Sequence, residues 1–295
     1  MSNESVEQRP SETAIMVAFS RALAAKDERA EIRGRDYLAH LFLPEDRQNA
    51  LKDPAKREWV KSAMPPGIYA YFIARTAYFD LIVEQGLRAL VPQMVFLGAG
   101  YDSRPYRFSD LNKGTRIFEV DIHTTQLRKI EVLRQAKLAV PEQLTFVPVN
   151  FKTDSLKDVL LQAGYDKNLK TLFIWEGVTY YLMPHDVDSI LNFIKFNSPD
   201  GSSICFDYSA SNIVDGYGVK ELRSFMRTNV PGEPTPFGLE DGKVKAFLSE
   251  RDYKIVDHLM TEDMERKYLT LHDGSCAGKV TALFRLVHAA VATPR

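Results

Sequence analysis

Cysteine is nearly absent: Cys205 and Cys276 are the only two in 295 residues. Cys205 lies in an apolar run and Cys276 in a glycine-containing turn, so neither fits a metal-ligand spacing. That scarcity argues against a disulfide framework and for a reducing compartment. The six histidines (His40, His123, His185, His258, His272 and His288) are scattered, and no metal-ligand cluster or Ser-His-Asp order stands out. Only His123 stands beside a motif, and a structural role is expected of it. An excess of one charge is also missing, since 38 Lys and Arg face 39 Asp and Glu, net -1. A dedicated nucleic-acid binder would carry a strong basic excess. No apolar run approaches the roughly 20 residues that span a bilayer. The opening MSNESVEQRP is polar and acidic, the opposite of a secretory signal. A cytoplasmic protein is expected, with neither nucleic acid nor membrane as partner.

What is present is an ordinary globular composition, 45% hydrophobic and 26% charged, with ample material for a buried core. Residues 11–91 read as helical. Ile15, Phe19, Ala22 and Leu23 recur near a period of 3.6 within Ala14–Ala25. Further helices are expected at Glu31–Leu43, Ala55–Ala63 and Ile68–Leu90, stopped by Pro44, by Pro65-Pro66-Gly67 and by Pro92. From Met94 the rhythm changes to short apolar runs: Met94–Leu97, Thr115–Val120, Leu144–Val149, Thr171–Trp175 and Ser203–Phe206. Helix-like stretches (Thr124–Leu138, Leu156–Ala163, Pro184–Phe196) separate most of them. That alternation predicts an α/β fold with a mostly parallel sheet covered on both faces. Two late runs, Tyr253–Leu259 and Val280–Val287, bring the strands to seven. Pro231, Pro234 and Pro236 mark the stretch 209–250 as a lid-like insertion.

The sharpest local feature is the strand Val95-Phe96-Leu97 running into Gly98-Ala99-Gly100. Glycine permits the sharp turn and lets a ligand approach the backbone. The pattern fits several nucleotide-binding families, and ligand-free turns as well. About 20 residues on, Glu119 and Asp121 end the next strand, where an acid accepts hydrogen bonds from ribose hydroxyls. Both project to one side of the strand, so spacing does not choose between them, although Asp121 lies nearer the carboxyl end. A carboxylate capping the following helix is the competing role. The dinucleotide fingerprint requires a third glycine where this chain has Ser103, and Asp102 and Asp121 suit a pyrophosphate badly. S-adenosylmethionine has a sulfonium and no phosphate, and suits an acidic, aromatic pocket. Glu176 leaves the fourth strand into Gly177 and the pair Tyr180-Tyr181, facing the same crevice or serving as a helix N-terminal acid.

Together GAGYDSRPYRF, FEVD and WEGVTYYL, with the upstream SETAIMVAFSRALAA and YFIARTAYFD, resemble the leucine carboxyl methyltransferase family over about residues 11–290. The resemblance implies a class I methyltransferase (Rossmann-like) domain over 93–295, an N-terminal helical cap over 11–92 after a disordered tail of ten residues, and S-adenosylmethionine as cofactor. It implies Arg75 on the cofactor carboxylate, Gly98 along the methionine end, Ala99 and Gly100 also against the cofactor, Asp121 on the ribose and Glu176 beside the methionine moiety. Asn150 and Phe151 would flank the adenine, where family members often carry Asp-Leu. For Arg75 the residues alone also allow an ion pair, with Asp80 too far along the helix to be its obvious partner. The implied reaction is O-methylation, with the carboxylate of a small-molecule acid as acceptor and Tyr101, Arg104, Tyr180 and Tyr181 as orienting candidates. A protein C-terminal carboxylate is an alternative acceptor. A hydroxyl is another, with His123 or Glu176 as base. A nicotinamide oxidoreductase and a non-catalytic binding protein are the remoter readings.

Overall fold

Five of the apolar runs become strands of one parallel array: β1 (Gln93–Leu97), β2 (Arg116–Asp121), β3 (Leu144–Pro148), β4 (Thr171–Trp175) and β5 (Ser203–Ser209). The computed structural model describes residues 12–150, 153–230 and 233–292. β6 (Tyr253–Leu259) and β7 (Phe284–Val291) complete a seven-stranded sheet of order β3-β2-β1-β4-β5-β7-β6, with β7 antiparallel to both neighbours. The continuous apolarity of the central strands has a direct cause, which β1 shows. Met94 and Phe96 of β1 enter one core while Val95 and Leu97 enter the other. Each face is covered, so both sets of side chains leave water, at about 1.5–3 kcal/mol for each large one fully buried.

The helices are α1 (Glu12–Ala24), α2 (Glu45–Lys52), α3 (Pro54–Ala63), α4 (Ile68–Arg88), α5 (Arg104–Arg107), α6 (His123–Gln135), α7 (Leu156–Gln162), α8 (Pro184–Phe196), α9 (Val219–Asn229), α10 (Val244–Ser249) and α11 (Thr261–Tyr268). Local chemistry sets several of their starts. The Asp53 carboxylate accepts from the Ala55 and Lys56 amides and Pro54 opens α3, while Pro184 opens α8. α1 and α4 share the core of one sheet face, through Ile15, Phe19, Tyr78 and Phe79, and α7 and α8 share the other, through Leu160, Val187, Leu191 and Ile194. No described helix is long and apolar enough to cross a membrane.

Two expectations need correction. Glu31–Leu43 is not a helix: single 3-10 turns at Ala30–Ile32 and Ala39–Phe42 stand there instead. The Asp36 side chain accepts from the Leu38 amide and is tied to Arg21 and Ser103, which draws the backbone away from helical bonding. The last strand begins at Phe284 rather than Val280. The preceding residues spend their amides elsewhere, Thr281 donating to the Gly67 carbonyl and Ala282 to that of Tyr217.

Candidate functional site

Strand order reverses between β1 and β4, which lie side by side although β2 and β3 follow β1 in sequence. Crevices outside the carboxyl ends of parallel strands open at such a point. β1 ends at Leu97 and delivers Gly98, Ala99 and Gly100 there, and β4 ends at Trp175 and delivers Glu176. A cavity of about 380 Å3 lies at this point, walled by both loops, by the end of β2 and by Thr13, Ala14, Val17 and Arg21 of α1.

Arg75, Gly98, Ala99, Gly100, Asp121 and Glu176 all line this cavity, as do Tyr101, Tyr180 and Tyr181. Two named residues, Arg104 and Asn150, stand elsewhere. Arg104 lies beneath the cavity, fully buried among carboxylates. Asn150 sits past the end of β3, its amide donating to Asp154, and is not on the cavity wall. Phe151 falls outside the described residues. Neither candidate base is poised for proton transfer, since His123 is exposed and Glu176 is engaged by two arginines.

The competition between Glu119 and Asp121 is resolved by what each meets. Glu119 is 1% exposed and bonded to Lys129 Nζ at 2.7 Å, away from the cavity, with burial pushing its carboxyl up to about 7 against the pull of Lys129. Asp121 accepts from the amides of Gly100 and Ile122 and remains on the cavity wall. Burial pushes the Asp121 carboxyl upward, while those two amides pull it down.

Beneath the loops runs a buried ionic network. Arg104 reaches Asp80 at 2.7 Å, Asp102 at 2.6 Å and Glu176 at 2.7 Å. Arg107 grips Asp80 from the other side and donates to the Ser103 hydroxyl, which donates to Asp36 at 2.6 Å. Asp36 in turn holds Arg21, whose other nitrogen donates to the Tyr101 carbonyl at 2.6 Å. The serine that breaks the dinucleotide pattern thus ties the glycine loop to the helical leader. Arg75 pairs with Glu176 at 3.0 Å and Asp207 at 3.1 Å, not with Asp80.

Asp207 is the residue that sequence reasoning missed. It is wholly buried on β5 and accepts from the Tyr71 hydroxyl at 2.6 Å, Arg75 at 3.1 Å and the Gly177 amide at 2.7 Å. It therefore fixes both Arg75 and the turn after Glu176. An acid inside the apolar run Ser203-Ile204-Cys205-Phe206-Asp207 was the available signal, because a buried carboxylate requires partners.

This donor and acceptor set fits S-adenosylmethionine. Gly98 lines the cavity at φ 68°, and a Cβ there would meet Val178 Cγ2 at 2.6 Å, so both the turn and its packing against Val178 require glycine. Asp102, Asp121 and Glu176 are acceptors suited to hydroxyl and ammonium groups beside a sulfonium. Among the described residues no group of three His, Cys, Asp or Glu is placed to hold a metal.

The comparisons with known proteins agree. Residues 14–195 match the leucine carboxyl methyltransferase family. YktD of Bacillus subtilis, named as an S-adenosyl-L-methionine-dependent methyltransferase, is 31% identical over 194 residues, 65% of this chain and 64% of that protein. A relative so named from Mycolicibacterium paratuberculosis is 32% identical over 254 residues, covering 81% of this chain and 78% of its own length. In fold, the crystal structure of a Thermobifida fusca protein named as a methyltransferase superimposes with a TM-score of 0.62 at 15% identity, over 97% of this chain and 96% of that one. With the seven-stranded class I sheet and the acid-lined crevice at β1 and β4, these matches establish that the chain belongs to the leucine carboxyl methyltransferase family of S-adenosylmethionine-dependent methyltransferases.

Proposed function

We propose that this chain methylates a carboxylate oxygen of a small, largely apolar acid. One observation carries the reading: a second cavity of about 590 Å3 adjoins the first, and Val17, Tyr180, Tyr181, Glu233 and Pro234 wall both. Its volume lies within the roughly 300–1,000 Å3 of small-molecule sites, and Met16, Ile68, Phe72 and Phe284 give it an apolar lining. Arg75, the Gly98–Gly100 turn, Asp121 and Glu176 hold the cofactor. Bound S-adenosylmethionine supplies an electrophilic methyl carbon.

A carboxyl group with a pKa near 4 is ionised at neutral pH and needs no base. The protein's task is then to orient it, which contributes up to roughly 7–11 kcal/mol in well-aligned reactions. Burial raises the phenols of Tyr180 and Tyr181, so both stay protonated. The Tyr180 oxygen accepts from Arg75 at 3.4 Å, leaving its own hydrogen for an acceptor oxygen. Residues 11–92 and 209–250 act as cap and lid over the acceptor.

A hydroxyl acceptor is the second reading, favoured by Glu233 on the shared wall, where a carboxylate takes up a proton and repels an anionic acceptor. Alkaline treatment of product carrying a labelled methyl group separates the two. A methyl ester releases its label as methanol, and label that survives alkali sinks the carboxyl reading. For a hydroxyl acceptor, Glu233→Gln should lower kcat by about 10²-fold or more.

Cofactor binding should also depend on pH through Asp121. Its carboxyl sits above the ordinary value of 3.8, so protonation begins at higher pH than for an exposed aspartate. The protonated form is the weaker acceptor for a ribose hydroxyl, so affinity should fall as pH is lowered, starting at higher pH than the titration of an exposed aspartate. Asp121→Asn should bind more weakly and lose that dependence in calorimetric titrations. An identical pH profile in the variant would remove Asp121 from the site.

A further inference from the structure

Helix α9 forms part of the second cavity's wall. Val219, Leu222, Arg223, Met226 and Arg227 fall at helical spacings i, i+3, i+4, i+7 and i+8, one stripe of the helix. Val219 and Leu222 are buried, Arg223 and Met226 half-buried, and Arg227 exposed. Leu222, Arg223, Met226 and Arg227 all line the cavity. An inward helical stripe is ordinarily apolar throughout, and here arginine occupies two of its positions.

These two guanidinium groups differ from the other arginines near the two cavities. Arg21, Arg75 and Arg104 are each committed to acidic partners. Among the described residues neither the Arg223 nor the Arg227 guanidinium forms a hydrogen bond or ion pair. Nor does either line the cofactor cavity, whereas Glu233 lines both. The acceptor cavity therefore has an acid where it meets the cofactor cavity, an apolar body, and two uncommitted cations along α9. A guanidinium presents a planar fork of donors that matches carboxylate, phosphate or sulfate oxygens in pairs.

We propose that the acceptor is an apolar molecule with a second oxyanionic group, distinct from the oxygen that is methylated, and that Arg223 and Arg227 hold that group. The inference rests on the second cavity being the acceptor site. It makes α9 a specificity element: a diacid, or an acid that also carries phosphate or sulfate, is oriented by its far end. A neutral apolar molecule of the same size lacks that anchor.

The test uses two fluorescent probes on the full chain saturated with S-adenosylhomocysteine: anilinonaphthalene sulfonate, apolar and anionic, and phenylnaphthylamine, apolar and neutral. Replacing both arginines (Arg223→Gln with Arg227→Gln) should weaken the sulfonate at least about tenfold and leave the neutral dye within about twofold. Lys243→Gln with Lys245→Gln, an equal charge loss at two exposed positions, should change neither. Met226→Trp, which fills the cavity, should abolish both. The proposal is overturned if sulfonate binding ignores the arginines, if the lysine control weakens it equally, if both dyes fall together in the arginine variant, or if neither binds the wild type. Titration of the same proteins with S-adenosylmethionine keeps the outcomes separate. Failure of the wild type to bind it strikes the methyl-transfer reading, and normal binding by every variant confines a failed dye result to α9.

Discussion

Titrated with S-adenosylmethionine, Gly98→Arg should bind at least about 100-fold more weakly than the wild type, a loss of about 2.7 kcal/mol or more. Gly98 donates its amide to the Val120 carbonyl at 2.8 Å, which fixes the turn out of β1. Its φ of 68° is unfavourable for any residue with a Cβ, by roughly 1–2 kcal/mol. A Cβ there also stands 2.6 Å from Val178 Cγ2, which must shift to admit it. The rest of an arginine side chain then occupies the space the cofactor needs. Two companion variants separate the causes. Gly98→Ala carries the strain and the clash without filling the cavity, and Gly98→Ala with Val178→Ala relieves the clash alone. A graded recovery across the three places the cofactor against this turn. Wild-type affinity in a folded Gly98→Arg would remove the cofactor from it.

Arg104→Ala should produce the largest loss of stability. The substitution strips Asp80, Asp102 and Glu176 of a shared cation, and all three carboxylates are 11% exposed or less at the side chain. Breaking one buried pair costs about 3–5 kcal/mol because an uncompensated charge remains. At roughly 2–4 °C per kcal/mol for a domain of this size, the melting temperature should fall on the order of 10 °C. Arg104→Lys should recover only part of that, since one ammonium does not reach three carboxylates with the guanidinium's fixed fork. Addition of S-adenosylmethionine should raise the melting temperature less in Arg104→Ala than in the wild type, because Glu176 and Asp102 are no longer held. A fall smaller than about 2 °C would show that Arg107 alone carries the network.

The two experiments address different parts of one design. In the proposed cofactor site Gly98 presents bare backbone, and its expected effect is steric and local. Arg104 touches no cavity surface and acts through the carboxylates that do. Arg104, expected to orient substrate, instead stands beneath the cavity and holds Asp102 and Glu176 on its wall.

The one-dimensional sequence by itself determined the fold class and the approximate places of the strands, though not every helix. Short apolar runs separated by helix-length stretches point to strands of a covered sheet, and all seven runs contributed strands, with β6 a partly exposed edge. The Gly98–Gly100 turn was legible because glycine at a strand end serves a backbone need that no neighbour supplies. Ser103 was legible as a departure from the dinucleotide pattern, although not as the link between Arg107 and Asp36. What tertiary structure alone decided were pairings between distant segments. Glu119 and Asp121 share a side of β2, and only Lys129 on α6, against the Gly100 amide from the neighbouring loop, assigns one to the core and the other to the cavity. Arg75 finds its partners 101 and 132 residues away in Glu176 and Asp207, beyond the reach of helical spacing. The second cavity arises where α1, α4, α9 and the Glu233–Gly238 segment meet. Periodicity reports which residues leave water; which of them meet is settled only when distant elements pack.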